Sequence, residues 1–291
     1  MRESNLDTGP RGLRLRLCSW GPDTGRPLLI LHGYLEQGAA WEGVANRLSD
    51  RRVVAPDHRG HGLSEHVGAG GFYHFWDYVA DVDAVVRHLD CEVDLVGHSM
   101  GGTIAALYAA TRPERVRRLV LIEGLGPPDG ADELLERGQA FLDGKESPRK
   151  HGSFPNVETA AARMRDFNKA LSPEEALRLA ARVARPVVAD DPFVTRPVVG
   201  AWTWAWDPAH RGRSPTPFRA EAHQVFLSAI RAPTLLIDGG ASPFKLMDRD
   251  ARRRSLSHAI ELTIPDAGHL IHHDAPDALA TALREFFSED A

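Results

Sequence analysis

The stretch that decides the fold is residues 93–103, VDLVGHSMGGT. It begins with an apolar run, turns at Gly97-His98-Ser99-Met100-Gly101, and continues into small and apolar residues. This order is typical of a buried strand, a sharp turn and a helix, with Ser99 at the apex of the turn. Glycines on both sides relieve clashes in a turn that forces a strained backbone on the serine. The pattern predicts a nucleophile elbow with Ser99 as nucleophile, although a Gly-rich turn with an N-capping serine has the same residues.

Buried strands occur on both sides of this turn along the chain. A strand that is covered on both faces needs a continuous apolar run, and such runs lie at residues 28–31, 53–55, 93–96, 119–122 and 235–237, with a weaker one at 260–264. An alternating pattern at 13–17 predicts a half-exposed strand before them. Helical periodicity separates the strands and is clearest at 75–89 and 275–287. Strands that alternate with helices predict an α/β fold with a mostly parallel, doubly wound sheet.

The alternation of strands and helices stops between residues 126 and 229. Helical patterns near 131–142, 157–170 and 173–183 are followed by a stretch rich in Pro and Trp, without a strand of the buried type. We therefore expect a mostly helical cap at 126–229, inserted after the sixth strand and lying over one end of the sheet. Residues 1–125 and 230–291 would form the core domain.

Composition and charge exclude several classes of function. The chain has 291 residues, a net charge of −5 and no basic excess, so we expect no nucleic-acid partner; the run Arg252-Arg253-Arg254 is interpreted as a solvated helix face. No apolar stretch approaches the roughly 18 residues of a membrane span, and the N-terminus lacks the apolar core of a secretory signal. Cys18 and Cys91 show neither metal-motif spacing nor a disulfide framework. We expect a cytoplasmic monomer or homodimer that acts on a small molecule.

A second motif, Leu31-His32-Gly33-Tyr34, ends an earlier buried strand. Together with the turn at Ser99, it resembles the α/β-hydrolase superfamily, and the match extends over most of the chain outside the inserted segment. In that superfamily a His-Gly pair precedes the residue of the oxyanion hole. The resemblance therefore implies that the backbone N–H groups of Tyr34 and Met100 form the hole, where losing one donor typically costs about 3 kcal/mol in the barrier.

A late histidine is the predicted general base. His269 ends the stretch Pro265-Asp266-Ala267-Gly268-His269, directly after the last strand. A triad base comes late in this fold, after the nucleophile and the acid. His272 and His273 lie outside the Gly-His signature of the superfamily and are interpreted as loop or surface residues.

The triad acid is where the sequence departs from the usual pattern of the superfamily. Ser242 stands where the usual Asp follows the seventh strand, and a serine cannot carry the charge that stabilises an imidazolium. Some members, including the haloalkane dehalogenase branch, take the acid from the end of the sixth strand, which is Glu123 here. A carboxylate at the end of a buried strand needs a partner, and His269 can be that partner. We favour Glu123 as the acid, with Asp238 as the alternative.

The resemblance implies a carboxylesterase-like serine hydrolase that works through an acyl-enzyme on Ser99, without a cofactor or metal. The substrate would be a small to medium hydrophobic ester or similar acyl compound, with a pocket that includes His32, Gly33, Trp204 and Trp206; the two tryptophans would equally well hold the cap on the core. Cleavage of a C–C bond, a lactone or an amide, or perhydrolysis, remains open on the same triad. A non-catalytic ligand-binding homologue is a further alternative.

Overall fold

The structure is a computed structural model that describes residues 1–10, 12–68, 70–169, 171–244 and 246–288. Residue 170, at the end of the predicted helix 157–170, lies outside this part of the chain. Residues 289–291, which end the predicted core domain, lie outside it as well.

Eight of the strands in the described residues form one central sheet. In chain order the strands are β1 (Arg2–Asp7), β2 (Arg14–Trp20), β3 (Leu28–Leu31), β4 (Val53–Pro56), β5 (Val93–His98), β6 (Val116–Ile122), β7 (Ala184–Pro186), β8 (Trp202–Trp204), β9 (Thr234–Gly239) and β10 (Ile260–Ile264). The order across the sheet is β1-β2-β4-β3-β5-β6-β9-β10, in which β1 and β2 are antiparallel to their neighbours and the other pairs are parallel. The predicted mostly parallel α/β sheet is confirmed.

Helices cover both faces of this sheet. They are α1 (Glu42–Arg47), α2 (Phe75–Leu89), α3 (Met100–Thr111), α4 (Leu134–Glu146), α5 (Val157–Phe167), α6 (Pro173–Val183), α7 (Ala220–Ala229), α8 (Arg249–Ser255), α9 (Ile271–Asp274) and α10 (Pro276–Ser288). Because successive side chains of a strand point to opposite faces, Leu28 and Ile30 join one buried cluster with α1 and α10, whereas Leu29 and Leu31 join another with α2 and α3. Among these described helices, none is both long and apolar enough to cross a membrane.

The segment between β6 and β9 differs from its prediction in two ways. The short strands β7 and β8 pair in an antiparallel ladder that the sequence analysis missed, since three residues are too few to show a strand pattern. The helix α7 packs against α3 and α8, and its Leu227 is buried in the core cluster on that face of the sheet. The helix α7 therefore covers the sheet although it lies within the predicted cap at 126–229, and the division into core and cap stays a prediction.

Candidate active site

Ser99 lies in a sharp turn between β5 and α3. Its backbone has φ 52° and ψ −115°, a left-handed φ that a residue with a side chain rarely adopts. A Cβ at Gly97 would come within 2.4 Å of the Gly101 carbonyl oxygen, and one at Gly101 within 2.2 Å of the Leu31 carbonyl oxygen. Glycine is therefore needed at both positions, because a Cβ there would clash with a neighbouring backbone carbonyl oxygen. The strained turn that the sequence predicts is present.

A continuous line of hydrogen bonds joins three of the predicted residues. The Ser99 hydroxyl donates to Nε2 of His269 over 3.1 Å, and Nδ1 of His269 donates to Oε2 of Glu123 over 3.1 Å. Three separate segments supply these side chains: the turn after β5, the residue after β6 and the loop between β10 and α9. A hydroxyl, an imidazole and a carboxylate in this order can pass a proton from the hydroxyl to the ring.

The Glu123 carboxylate is held by three donors. Besides His269, it accepts a hydrogen bond from the Ser242 hydroxyl over 2.7 Å and from the Gly239 N–H over 2.8 Å. Burial acts to raise the pKa of Glu123, but the bonds from His269, Ser242 and Gly239 outweigh it and leave this pKa below its ordinary value. Ser242, which stands where the superfamily usually has its acid, thus donates to the carboxylate that faces His269.

Asp238, which lines the same cavity as Glu123, has different hydrogen-bond partners. It lies within β9, beside β10, and pairs with Arg249, which also donates to Glu261 over 2.9 Å. None of the hydrogen bonds of Asp238 in the described part of the chain reaches His269. The structure therefore brings Glu123 to His269, whereas it pairs the alternative acid, Asp238, with Arg249.

A cavity of about 870 Å³ opens in front of Ser99 and His269. Tyr34 and Met100 line it, and the Tyr34 hydroxyl donates to the His210 carbonyl oxygen over 2.8 Å. Aromatic and charged side chains both line the cavity, among them the aromatic Phe72, Tyr73, Phe75 and Tyr78 and the charged Asp238, Arg249 and Glu261. Tyr34 and Met100 are therefore placed beside the serine, and their role as oxyanion donors stays a prediction.

Four residues predicted for the pocket lie outside the walls of this cavity in the described chain: His32, Gly33, Trp204 and Trp206. His32 is fully buried, and its Nδ1–H donates to the Gly33 carbonyl oxygen while its Nε2 accepts from the His58 N–H. Trp204 packs on Phe154, with ring centroids 4.9 Å apart, and Trp206 packs on His151 at 4.2 Å. The tryptophans hold the inserted segment together, because both partners belong to it.

Two predictions of solvent exposure are wrong. Arg252 is fully buried, and its guanidinium donates to the carbonyl oxygens of Leu125 and Pro127 and to Asp248. This side chain therefore holds the loop that follows β6. Its position one helical turn after Asp248 is a local signal of an ion pair, but nothing local indicates that the pair is covered.

His272 is also buried, and it belongs to a group that sequence reasoning missed. Its ring stacks on Trp41 at 4.4 Å, and its Nε2 donates to Oε1 of Glu36 over 2.8 Å. Glu36 also lies 3.0 Å from Nδ1 of His98, the residue before Ser99. In the described residues, Glu36, His98 and His272 alone offer three ligand-type atoms close enough for one metal ion. These atoms are already hydrogen-bonded to one another, which accounts for their closeness without an ion.

Comparisons with known proteins concern the family and the fold of the chain. A family model described as the alpha/beta hydrolase fold matches residues 26–276. A serine hydrolase-like protein from Danio rerio is 30% identical over 94% of this chain and 84% of its own length. A 3-hydroxybutyrate-oligomer hydrolase from Cupriavidus necator is 30% identical over 95% of this chain and 94% of its own length. Among solved structures, a thioesterase domain from the curacin biosynthetic pathway superposes with a TM-score of 0.85 at 33% identity, covering 97% of this chain and 98% of that domain.

Proposed function

The chain belongs to the α/β hydrolase fold family, and from this premise we propose that it is a serine hydrolase that cleaves a carboxylic ester through an acyl-enzyme. The observation that carries the proposal is the line of hydrogen bonds from Ser99 through His269 to Glu123, beside a cavity large enough for a small molecule. In this proposal Ser99 is the nucleophile, His269 the general base and Glu123 the acid. Tyr34 and Met100 supply the oxyanion donors.

The proposed reaction begins when His269 takes the proton of the Ser99 hydroxyl as that oxygen attacks the carbonyl carbon of the ester. The negative charge that develops on the carbonyl oxygen is held by the backbone N–H groups of Tyr34 and Met100. The Glu123 carboxylate stabilises the imidazolium of His269 and keeps its Nε2 directed at the serine. His269 then protonates the departing alcohol, and water attacks the acyl-enzyme by the same steps to release the acid.

The cavity supports a small to medium hydrophobic substrate. The volume of the cavity is within the ordinary range for small-molecule sites. The aromatic side chains that line it suit an apolar acyl or alcohol group. Two similar proteins, named as a 3-hydroxybutyrate-oligomer hydrolase and a thioesterase domain, both have names that refer to cleavage of acyl bonds. Thioester cleavage is therefore the second candidate, since the same serine and histidine would perform it.

A fluorophosphonate probe tests the nucleophile directly. We expect the wild-type protein to become covalently labelled at Ser99, and the Ser99→Ala variant to remain unlabelled. The control variant Ser228→Ala, whose hydroxyl donates to the Gln224 carbonyl oxygen within α7, should label like the wild type. A folded wild-type protein that takes up no label would contradict the proposed chemistry and favour a ligand-binding homologue.

A panel of p-nitrophenyl esters, from acetate to laurate, together with matched acyl thioesters then defines the substrate class. We expect turnover to be highest for short to medium acyl chains, because the cavity is of limited size. Turnover of the thioesters alone would replace the ester proposal by the second candidate.

A further inference from the structure

One carboxylate, with its side chain 14% exposed, connects three of the segments that carry the proposed site. Oε2 of Glu36 accepts a hydrogen bond from the Gly33 N–H over 2.8 Å and lies 3.0 Å from Nδ1 of His98. Oε1 of Glu36 accepts from Nε2 of His272 over 2.8 Å. Gly33 directly precedes Tyr34, and His98 directly precedes Ser99. Glu36 thus ties the loop after β3 to the turn at the serine and to α9.

Both ring nitrogens of His98 face acceptors. Nδ1 faces the Glu36 carboxylate, and Nε2 lies 2.9 Å from the backbone carbonyl oxygen of His269. A neutral imidazole has one N–H and one lone pair, so it can satisfy only one of these acceptors. His32 shows the neutral arrangement, since it donates to the Gly33 carbonyl and accepts from the His58 N–H. His98 has no such donor facing it among its described contacts, and two protonated nitrogens make it an imidazolium.

The charge on Glu36 agrees with this assignment. Three donors point at its two oxygens, which favours the ionised carboxylate over the acid. Although burial acts to raise it, the pKa of Glu36 lies well below its ordinary value because His272 and His98 face it. Burial alone would lower the pKa of His98, but the Glu36 carboxylate opposite raises it above the ordinary value.

We propose that Glu36 and the buried His98 form an ion pair that positions the proposed catalytic residues, with His98 holding the His269 backbone and Glu36 holding the Tyr34 loop. The pair acts through other residues and touches no reacting atom, so both are positioning residues. The inference rests on the proposed function for its effect on activity but not for the charge state itself. When His98 loses its proton, it keeps one donor for two acceptors, and a lone pair then faces the Glu36 carboxylate or the His269 carbonyl.

Several other charged and titratable groups face the pair and also contribute to the pH profile of the activity. His98 faces Glu36 and, at 4.9 Å between ring centroids, both His269 and His272, while Glu123 acts on it over a longer distance. His273 lies 3.8 Å from Glu36. Any change in the pH profile must therefore be assigned by a variant that removes the charge of Glu36 alone.

The variant Glu36→Gln keeps the size of the side chain and removes its charge. We expect kcat to fall at least about tenfold with KM changed less than about threefold, and the alkaline limb of kcat to move to lower pH. Glu36→Asp, which keeps the charge on a shorter stem, should recover part of the lost kcat. Glu65→Gln, at an exposed carboxylate paired with Arg14, is the matched control. Wild-type kcat and an unmoved alkaline limb in Glu36→Gln would overturn the positioning role.

Nitrogen NMR of the histidine rings tests the charge state without any substrate. In 15N-histidine-labelled wild-type protein near neutral pH, we expect both nitrogens of His98 to carry protons, and we expect a neutral ring in Glu36→Gln. A neutral His98 ring in the wild type would overturn the inference, as would a signature that changes on dialysis against a chelator, because a metal would then hold the ring. A charged His98 in a protein that neither labels with fluorophosphonate nor hydrolyses esters would sink the proposed function and leave the ion pair standing. If Glu36→Gln does not fold, the wild-type spectrum still decides.

Discussion

The ends of β6 and β9 lie side by side in the sheet, and each carries an acidic side chain, yet the two ends have different environments. Glu123, after β6, accepts hydrogen bonds from His269, Ser242 and the Gly239 N–H, and its side chain is 6% exposed. Asp238, in β9, pairs with Arg249 and is 32% exposed. Neighbouring strands of one sheet can thus present carboxylates of the same charge to entirely different partners.

The contrast shows that the partners of a strand-end carboxylate, more than its place on the strand, decide what it can do. A charge held by fixed donors away from water acts strongly on a neighbouring imidazolium and needs no reorganisation during the reaction. An ion pair that is partly open to solvent is screened and contributes little, typically about 0–1 kcal/mol. Variants at and around the two strand ends test whether this difference in partners produces a difference in activity or stability.

The largest expected effect comes from neutralising Glu123, and the same change at Asp238 is the comparison. Glu123→Gln should lower kcat on the preferred ester on the order of 10³–10⁴-fold, because a neutral amide neither stabilises the His269 imidazolium nor holds its tautomer. Asp238→Asn should stay within about threefold of the wild type. Steady-state kinetics of both variants provide the measurement, and a larger loss for Asp238→Asn would reverse the assignment of the acid.

Moving the carboxylate from β6 to the loop after β9 is the next test. Ser242 lies 2.7 Å from Glu123 and stands where the superfamily usually has its acid, so Ser242→Asp in the Glu123→Gln background should restore kcat at least about tenfold. The control is Ser242→Asn in the same background, which has the same shape without the charge. If both double variants are equally slow, the position at 242 cannot serve His269.

Removing one donor to Glu123 should have a smaller effect. Ser242→Ala deletes a hydrogen bond to a charged group, a bond worth about 1.5–3 kcal/mol, and we expect kcat to fall roughly tenfold. Ser228→Ala, at an exposed hydroxyl on α7, should leave kcat unchanged. Wild-type kinetics in Ser242→Ala would show that the remaining bonds hold Glu123 in place.

At acid pH, the buried side chains of His58 and His61 should lower the stability of the folded protein. Burial, with a smaller contribution from His61, lowers the pKa of His58 to about 3, and burial lowers that of His61 to about 4. The unfolded chain binds these protons near pH 6.5, so stability is full above that pH and is lost as the pH falls toward these lower values. The urea midpoint should therefore drop between about pH 6.5 and pH 4.

A variant at His61 tests whether this loss of stability comes from His58 and His61. His61→Asn should make the dependence of the urea midpoint on pH shallower, whereas the control His88→Asn, at an exposed position on α2, should keep the wild-type dependence. An equal dependence in all three proteins would place the acid sensitivity elsewhere.

The smallest expected effect lies at the end of β9. Arg249→Gln removes the partner of Asp238 and one of the two arginines that pair with Glu261, at side-chain exposures of 30–44%, and should lower the free energy of unfolding by less than about 1 kcal/mol. Chemical denaturation measures the change. A loss of several kcal/mol would mean that the two strand ends are held with similar strength.

Much of the site can be predicted where the signal is local. Ser99 follows from one strand–turn–helix pattern, and His269 from a short loop before the last helices. The choice of Glu123 over Asp238 needed a resemblance to other proteins, since the residues alone allow both. Glu36 and the charge of His98 have no local signal, because Glu36 is an ordinary acidic residue in a loop.

The sequence by itself determined most of the central sheet: apolar runs make its parallel strands, and glycines at 97 and 101 permit the sharp turn at Ser99. Only the tertiary structure decided which side chains meet. Glu123 finds His269 across 146 residues of chain and Ser242 across 119, and His98 finds the His269 carbonyl across 171. The reason is physical: turns and strands are governed by neighbours along the chain, whereas hydrogen bonds, burial and charge depend on groups that only packing brings together.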